Sequence, residues 1–352
     1  MNRKSLLEHR VLRVVAMTAI MTLMFVGCSD QADQPLMPAA PSVTGTLSKD
    51  HPGIRRAMEV QERNTARLFE KTGVIGVGTG MTESGEPAVI IITEKEIPRG
   101  QLPEQLEGLP VIQRIGGSIE LSGKPGSTGS GKKGSGTTGT TTGRNIRLPR
   151  PVPIGVSTSN YYDCGAGTIG VRVRSNDAYY ILSCNHVFAR LNAAGSGELI
   201  LQPGRSDNSL VTALNDEIAR VTDMEPISYS PYANNLMDAA IASTTTASVG
   251  NSTPVDGYGT PSSTTALATI GMEVQKYGRT TGLTTGRVIA INCSVMIPYP
   301  AGATRFNDQG IVEPLRKNRS FVEGGDSGSL VVTDDSNANP LGIAFAKSGD
   351  LA

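Results

Sequence analysis

Gly324-Gly-Asp-Ser-Gly-Ser329 lies between Phe321-Val322 and the apolar run Leu330-Val-Val332. Glycine, aspartate and serine between two apolar runs predict a tight turn that leads into a strand. Glycine at position 325 lets the backbone bend so that the amides of Gly325 and Ser327 point the same way. Two convergent N–H groups can hold a developing oxyanion, so the turn offers a nucleophile together with an oxyanion hole. A plain surface turn is the alternative in a chain with 41 glycines.

A serine hydroxyl is a poor nucleophile until a base takes its proton, so Ser327 needs a partner. The chain has three histidines. His9 lies in a candidate export signal, and His51 precedes the first predicted folded segment. His186 is therefore the candidate base, and a surface histidine without a catalytic role is the alternative.

Asp238 is the candidate for the carboxylate that would fix the tautomer of His186. It precedes the small apolar residues 239–242, and an acidic residue beside such a segment is unusual unless something pairs with it. A satisfied buried acid elsewhere in the fold is the alternative. Asp326, in the same turn as Ser327 (residues 323–329, the serine loop), is interpreted as a structural carboxylate.

Three motifs in this order resemble those of the chymotrypsin-like (trypsin-like) serine proteases with two β-barrels. The family's histidine, aspartate and serine motifs are similar to Ser183-Cys-Asn-His-Val-Phe-Ala189, Asp238-Ala-Ala-Ile-Ala242 and Gly325-Asp-Ser-Gly-Ser-Leu-Val-Val332. Two further stretches, Lys276–Arg287 and Leu201–Gly204, resemble a bacterial lipoprotein branch of this family that is related to the plant narrow-leaf protein.

The resemblance covers roughly residues 147–352 and implies a mainly-β chain, with a chymotrypsin-like double β-barrel preceded by a small α+β domain. It also implies a triad in which Ser327 attacks the scissile carbonyl, His186 takes and later returns the proton, and Asp238 orients His186. The amides of Gly325 and Ser327 would hold the oxyanion. The chain is therefore predicted to be a serine endopeptidase that acts on a protein or peptide through an acyl-enzyme.

Composition, together with what the resemblance implies, divides the chain into predicted parts. They are a lipoprotein signal peptide (1–28), a disordered tether (29–49), a small α+β domain (50–121), a Gly/Ser/Thr linker (122–146) and a trypsin-like serine protease domain (147–352). Barrel one is expected at about 147–250 and barrel two at about 251–352. The C-terminal end is expected to be short, because the family usually has a further strand and a terminal helix there.

Residues 1–28 have the pattern of an export signal. Basic residues precede a run of apolar and small residues from Val14 to Val26, which is too short to span a bilayer. Phe25-Val-Gly-Cys28 resembles a lipoprotein cleavage site with Cys28 as the lipidated residue, and ordinary cleavage to a secreted protein is the alternative. The predicted location is the cell envelope, on the periplasmic or cell-surface side, with the lipid anchor as the only membrane contact.

The segment before the linker is predicted to be α+β. Residues 54–71 carry apolar residues near helical spacing, and Gly73 is placed to end the helix. Strands are predicted at 74–77, 88–92 and 109–112. The linker is typical of a flexible, protease-sensitive segment, which raises the hypothesis that residues 50–121 restrain the protease until the linker is cut.

The segment after the linker shows alternating strand patterns. Residues 168–174 and 179–183 predict a hairpin that delivers His186 to the rim of a barrel. A strand at 237–242 is predicted to carry Asp238. Residues 289–297 alternate with a period of two, which predicts a strand with one apolar face.

The cysteines leave two interpretations open. Export permits disulfides, and Cys164 and Cys184 lie at the open end of the predicted hairpin, where a cross-strand bridge and two free thiols are both reasonable. Cys293 is predicted to be a buried free thiol. No cysteine or histidine spacing resembles a zinc site, so no metal and no other cofactor is expected.

Charge and composition argue against one class of partner. The formal net charge is zero and tryptophan is absent, so no nucleic-acid partner is expected. No pattern indicates an oligomeric state. Two other functions remain alternatives to the endopeptidase: a catalytically inactive protease-like binding module, and an esterase that uses the same triad.

Overall fold

The computed structural model describes residues 46–121, 143–207 and 213–352. The predicted signal peptide with Cys28, most of the predicted tether and most of the predicted linker lie outside these residues. Among the described helices, none combines the length and the apolar character that crossing a bilayer requires.

The described residues before the linker form a helix and a set of short strands. They are α1 (Pro52–Phe69), β1 (Val74–Met81), β2 (Pro87–Thr93), β3 (Gln105–Leu106), β4 (Leu109–Ile115) and β5 (Ile119–Leu121). The predicted helix and the three predicted strands are confirmed, within a few residues of their expected ends.

The described residues after the linker are mostly strands. The first group is β6 (Ser157–Asn160), β7 (Gly167–Thr168), β8 (Val171–Ser175), β9 (Ala178–Ser183), α2 (Asn185–Phe188), β10 (Leu199–Leu201), a 3₁₀ turn (Arg205–Asp207), α3 (Ala213–Asp216), β11 (Glu217–Met224) and β12 (Ala240–Thr244). The second group is β13 (Glu273–Gly278), β14 (Gly282–Tyr299), β15 (Gly302–Pro314), β16 (Leu330–Thr333), β17 (Pro340–Ile343) and β18 (Ala346–Ser348).

Helix α1 forms because its first turn is capped and one face is apolar. The His51 side chain accepts a hydrogen bond from the Gly53 amide, and proline occupies the first helical position, where its missing N–H costs nothing. Ile54 and Leu68 on the apolar face are fully buried, and the helix packs on β1 and β2.

The strands around His186 form one curled sheet. Its strand order is β7-β6-β10-β11-β12-β9-β8. The two edge strands, β7 and β8, are separated by only two residues in the chain, so the sheet has to curl to bring its edges together. The predicted hairpin is confirmed by the antiparallel pairing of β8 with β9, and it ends at Ser183, three residues before His186.

The strands around Ser327 belong to a second, nine-stranded sheet. Its order is β17-β16-β13-β14-β1-β2-β4-β3, with β15 also paired to β14. The mainly-β class predicted from the sequence is confirmed by these two sheets. The sheet also joins the segments before and after the linker, because β1 pairs antiparallel with β14. The domain boundary near residue 121 stays a prediction, but the hydrogen-bonded sheet is continuous across it.

Glycine permits the close approach of β1 and β14. A Cβ atom on Gly78 would lie 2.2 Å from the Cys293 sulfur, and a Cβ on Gly80 would lie 2.6 Å from the Ile289 carbonyl oxygen. Only a strand without side chains at these positions can pack this closely. The sequence motif of alternating glycines at 76, 78 and 80 therefore serves strand pairing.

Two strand predictions need correction. The predicted strand at 289–297 lies within β14, and its odd-numbered residues from 291 to 297 are buried as expected. The alternation slips at Ala290, which is buried next to Ile291 where the pairing of β14 with β15 changes register. Asn292 has a positive φ of 53° at this bulge. The strand expected to begin at Met237 begins at Ala240 instead, so Asp238 lies in the segment just before β12.

Candidate active site

His186 and Asp238 form a buried pair. His186 is the second residue of the short helix α2, which follows β9 directly. Its ring Nδ1 lies 2.6 Å from Asp238 Oδ2, and its backbone amide donates to Asp238 Oδ1 at 3.1 Å. The carboxylate thus holds both the ring and the main chain of the histidine. Because an ionised carboxylate only accepts, Nδ1 is the donor in this contact, and Nε2 is the ring nitrogen left to act as a base.

Tyr299 is a further partner of Asp238 that sequence reasoning missed. Its hydroxyl donates to Asp238 Oδ2 at 2.5 Å. Tyr299 ends the long strand β14, and its ring stacks on Phe306 and meets Tyr229 edge-on. A tyrosine at the end of an alternating strand carries no sequence signal for this role.

These contacts set the charge of Asp238. Burial alone raises the pKa of Asp238, but the charge of His186 and the hydrogen bonds from His186 and Tyr299 outweigh it and hold the pKa below its usual value. Burial, reinforced by the charge of Asp238, raises the pKa of the Tyr299 hydroxyl. The aspartate therefore stays ionised, and the tyrosine stays a hydrogen-bond donor.

Ser327 lies in a loop that packs against the segment of His186, but the serine is not hydrogen-bonded to that histidine. Its hydroxyl donates to the Phe345 carbonyl at 3.3 Å, and the residue has no exposed surface. Within the described part of the chain, His186 Nε2 has no hydrogen-bond partner. A Cβ atom on Gly167 would lie 2.5 Å from Val187 and 3.0 Å from the Ser327 carbonyl oxygen. The fold thus brings the serine loop against the segment of His186, while the serine hydroxyl points elsewhere.

The predicted oxyanion-hole amides are free to donate. Gly325 has a φ of 99°, which glycine adopts without strain. The intervening amide of Asp326 donates to the Glu323 carbonyl. Within residues 46–121, 143–207 and 213–352, the amides of Gly325 and Ser327 donate to no acceptor. Two unused N–H groups beside a serine are what the predicted role requires.

Asp326 fixes the position of the serine loop through hydrogen bonds. Its Oδ1 accepts from the amides of Thr280 and Thr281, at 2.8 and 3.1 Å. Its Oδ2 accepts from the Thr281 hydroxyl at 2.6 Å, the Glu323 amide at 2.9 Å and Lys276 Nζ at 3.2 Å. The interpretation of Asp326 as a structural carboxylate is confirmed by these contacts.

The ion pair of Asp326 with Lys276 is entirely buried, with both side chains at 0% exposure. Burial raises the pKa of Asp326, but the charge of Lys276 and the hydrogen bonds from Thr281 and nearby amides outweigh it and lower the pKa. Lys276, Thr280 and Thr281 all lie in the stretch Lys276–Arg287. The sequence marks that stretch only by its family resemblance, whereas in the structure its residues position the serine loop.

Of the two interpretations left open for Cys164 and Cys184, the structure has two free thiols and no bridge between them. Both cysteines are free; Cys164 is exposed and Cys184 is buried. The Cys184 thiol faces inward, 3.5 Å from the Ala344 carbonyl oxygen, so it cannot meet a thiol on the surface. Burial, followed by the charge of Asp238, raises the pKa of Cys184. Cys293 is a buried free thiol, as predicted.

One group of potential metal ligands occurs among the described residues. Donor atoms of Cys184, His186 and Asp238 lie within 4.8 Å of one another, and all three residues are buried. The His186 ring and the Asp238 carboxylate are already hydrogen-bonded to each other. A metal would have to displace the hydrogen bond that fixes the histidine ring.

Comparisons with known proteins find similarity only among solved structures. No protein-family model and no curated protein matches the chain. Similar structures include Thermobifida fusca Protease A (16% identity, TM-score 0.37), Nocardiopsis Protease (17%, 0.36) and Cellulomonas bogoriensis chymotrypsin (16%, 0.34). Each match covers 56% of this chain and 90%, 89% and 90% of the other chain, respectively. These similarities are too distant to carry an argument, so the function rests on the site itself.

We predict that Asp326→Asn lowers the free energy of unfolding by about 3–5 kcal/mol at pH 7, because it leaves the Lys276 charge buried and unpaired. The folded-state pKa of Asp326 is lowered, so its stabilisation is present above the unfolded pKa of about 4 and is lost as the pH falls through the folded value. The difference between parent and variant should therefore shrink below about pH 4.

Urea unfolding at a series of pH values measures this difference. The matched control is the double variant Lys276→Met with Asp326→Asn, which removes both charges and should be more stable than Asp326→Asn alone. Equal unfolding midpoints for the parent and Asp326→Asn at pH 7 would contradict the role assigned to the ion pair.

We predict that Tyr299→Phe raises the pKa of Asp238, because it removes one of the hydrogen bonds that hold that pKa down. A carboxyl-selective NMR titration measures the change. Tyr229→Phe is the matched control, since its hydroxyl donates to the Leu191 carbonyl and not to Asp238. An Asp238 titration that moves equally in both variants would mean that Tyr299 acts only through general packing.

Proposed function

We propose that this chain is a serine endopeptidase that uses Ser327, His186 and Asp238. The observation that carries the proposal is the buried pair of His186 and Asp238, joined by two contacts to the carboxylate. The pair leaves Nε2 of the histidine without a partner among the described residues. A loop with a serine and two unused amides packs against the same segment, which supplies the parts that acyl transfer requires.

The first step of the proposed reaction is a rotation of the Ser327 side chain. Its hydroxyl would leave the Phe345 carbonyl and donate to His186 Nε2, which takes the proton as the oxygen attacks the scissile carbonyl. Rotation between staggered side-chain positions is a small change. Asp238 stabilises the imidazolium that forms, because its ionised carboxylate contacts Nδ1.

The later steps follow from the same groups. The tetrahedral intermediate carries its negative charge on the former carbonyl oxygen, which the amides of Gly325 and Ser327 would hold. His186 returns its proton to the leaving amine, and the acyl group stays on Ser327 until water, activated by His186, releases it. The proposed substrate is therefore a protein or peptide with an accessible amide bond.

A catalytically inactive binding module is the second candidate. The observation that favours it is the complete burial of Ser327, whose hydroxyl is hydrogen-bonded to the Phe345 carbonyl. A site that stays in this arrangement would not react. The two candidates differ in whether Ser327 can be acylated in the folded protein.

Labelling with a fluorophosphonate probe tests the proposal. We expect the folded full-length chain to be labelled, Ser327→Ala to abolish labelling, and His186→Ala to slow it by about a hundredfold or more. Ser329→Ala is the matched control, because Ser329 is a buried serine of the same loop, and it should label at the parent rate. Labelling that survives Ser327→Ala would place the reaction at another residue, and a folded chain that never labels would favour the binding module.

We also propose that the chain is exported and anchored by lipid at Cys28, on the strength of the basic and apolar pattern of residues 1–28. Metabolic labelling with an alkyne fatty acid should mark the parent and Cys164→Ser, but not Cys28→Ser. A parent chain that is exported without the label would instead support ordinary signal cleavage.

A further inference from the structure

The strand beside the candidate nucleophile is already paired. β18 begins at Ala346, one residue after Phe345, whose carbonyl accepts the Ser327 hydroxyl. β18 forms a two-stranded antiparallel sheet with β5, in which Leu121 lies opposite Ala346 and Ile119 opposite Ser348. The segment just before the predicted linker thus occupies the main-chain edge next to Ser327.

The contact between the two strands is closely fitted. The Ser348 hydroxyl donates to the Gly117 carbonyl at 2.8 Å. A Cβ atom on Gly116 would lie 2.4 Å from the Ser348 hydroxyl oxygen, and a Cβ on Gly349 would lie 2.0 Å from the Gly116 carbonyl oxygen. Each of the two segments therefore has a glycine where a side chain would prevent their close approach.

Leu121 anchors β5 at this edge. Its side chain is buried and belongs to the apolar cluster that includes Tyr299, Phe306 and Phe345. Glu120, the preceding residue, points the other way and is exposed. The buried side chain of Leu121, the half-buried side chain of Ile119 and a short stretch of main-chain pairing thus hold the strand in place.

The pairing also fixes the position of the groups around Ser327. Lys347 in β18 forms an ion pair with Glu323 at the start of the serine loop, with Nζ 2.6 Å from Oε2. β18 is therefore held by β5 on one side and tied to the serine loop on the other. The Phe345 carbonyl sits at the beginning of this strand, in the position where it accepts the Ser327 hydroxyl.

An extended peptide substrate needs a strand edge close to the nucleophile, because main-chain hydrogen bonds supply much of its affinity. We propose that residues 119–121 are a tethered occupant of the β18 edge, and that they have to leave before an extended peptide substrate can pair there. This inference rests on the proposed peptidase function. The substrate that fits this edge is an extended peptide with an apolar side chain at the position that Leu121 occupies.

Only β5 has to move for this exchange. β1 and β2 lie in the interior of the nine-stranded sheet, whereas β5 pairs with β18 alone. A cut in the predicted linker would leave residues 46–121 attached through the pairing of β1 with β14. The restraint therefore lies in the three residues of β5, and not in the whole segment before the linker.

Leu121→Asp in the full-length chain tests the inference, since it removes the anchor of β5. We expect the rate of Ser327 labelling by the fluorophosphonate to rise about tenfold or more, because the rate scales with the fraction of molecules whose site is open. Glu120→Ala, in the same strand but with an exposed side chain, is the matched control and should label at the parent rate. Leu121→Ala is a milder variant that should act in the same direction and keep the fold.

Two further measurements separate the possible outcomes. Hydrogen exchange should show faster exchange at residues 346–348 in Leu121→Asp, independently of any catalysis. A synthetic peptide with the sequence of residues 116–121 should slow the labelling of Leu121→Asp, whereas a scrambled peptide should not. Equal labelling of the parent and both Leu121 variants would overturn the inference and leave the proposed function standing. Faster hydrogen exchange at residues 346–348 without any labelling of Ser327 would overturn the proposed function, and the inference with it.

Discussion

A carboxylate without contact to solvent has to be surrounded by donors, and Asp238 obtains them from both sheets. His186 reaches it from the end of the curled sheet, through a ring nitrogen and a backbone amide. Tyr299 reaches it from the end of β14, in the nine-stranded sheet. Removing either partner would leave buried charge less well compensated, so this one carboxylate constrains how the two sheets meet.

The same constraint recurs at Asp326, one residue before the candidate nucleophile. Asp326 accepts from Lys276, from Thr281 and from backbone amides on two segments. These contacts fix the turn that gives Gly325 its positive φ and leaves the flanking amides unused. The geometry of the site therefore depends on two buried acids, of which one orients the base and the other shapes the loop of the nucleophile.

Sequence reasoning found the residues whose chemistry demands a partner. Asp238 beside small apolar residues and a histidine at the end of a strand pattern each predicted a contact, and the structure joins them. Tyr299 was missed because it lies 61 residues from Asp238 in the chain and its position depends on how the end of β14 meets the other sheet. The choice between a bridge and free thiols at Cys164 and Cys184 stayed open for a related reason, since spacing along a hairpin does not reveal that the Cys184 thiol turns inward.

The mainly-β class and the hairpin could be predicted because alternation with a period of two is a local property. The pairing of β1 with β14 and of β5 with β18 could not, because each joins segments from opposite sides of the linker. Very short strands such as β5 also carry too few residues to show a pattern. The features that determine access to Ser327 are thus the ones that local sequence describes least well.

The contacts of the site also determine which of its groups can change position at the smallest cost in free energy. Separating His186 from Asp238 would expose a buried charge to an apolar surrounding, which costs several kcal/mol. In the proposed reaction the Ser327 hydroxyl only exchanges its present acceptor, the Phe345 carbonyl, for another, and rotation of a side chain between staggered positions costs less than separating the buried pair. A movement of the Phe345 carbonyl would therefore release the Ser327 hydroxyl from its hydrogen bond at little cost in free energy. Phe345 adjoins β18, and β18 pairs with the three residues of β5, so the release of β5 is well placed to act in this way.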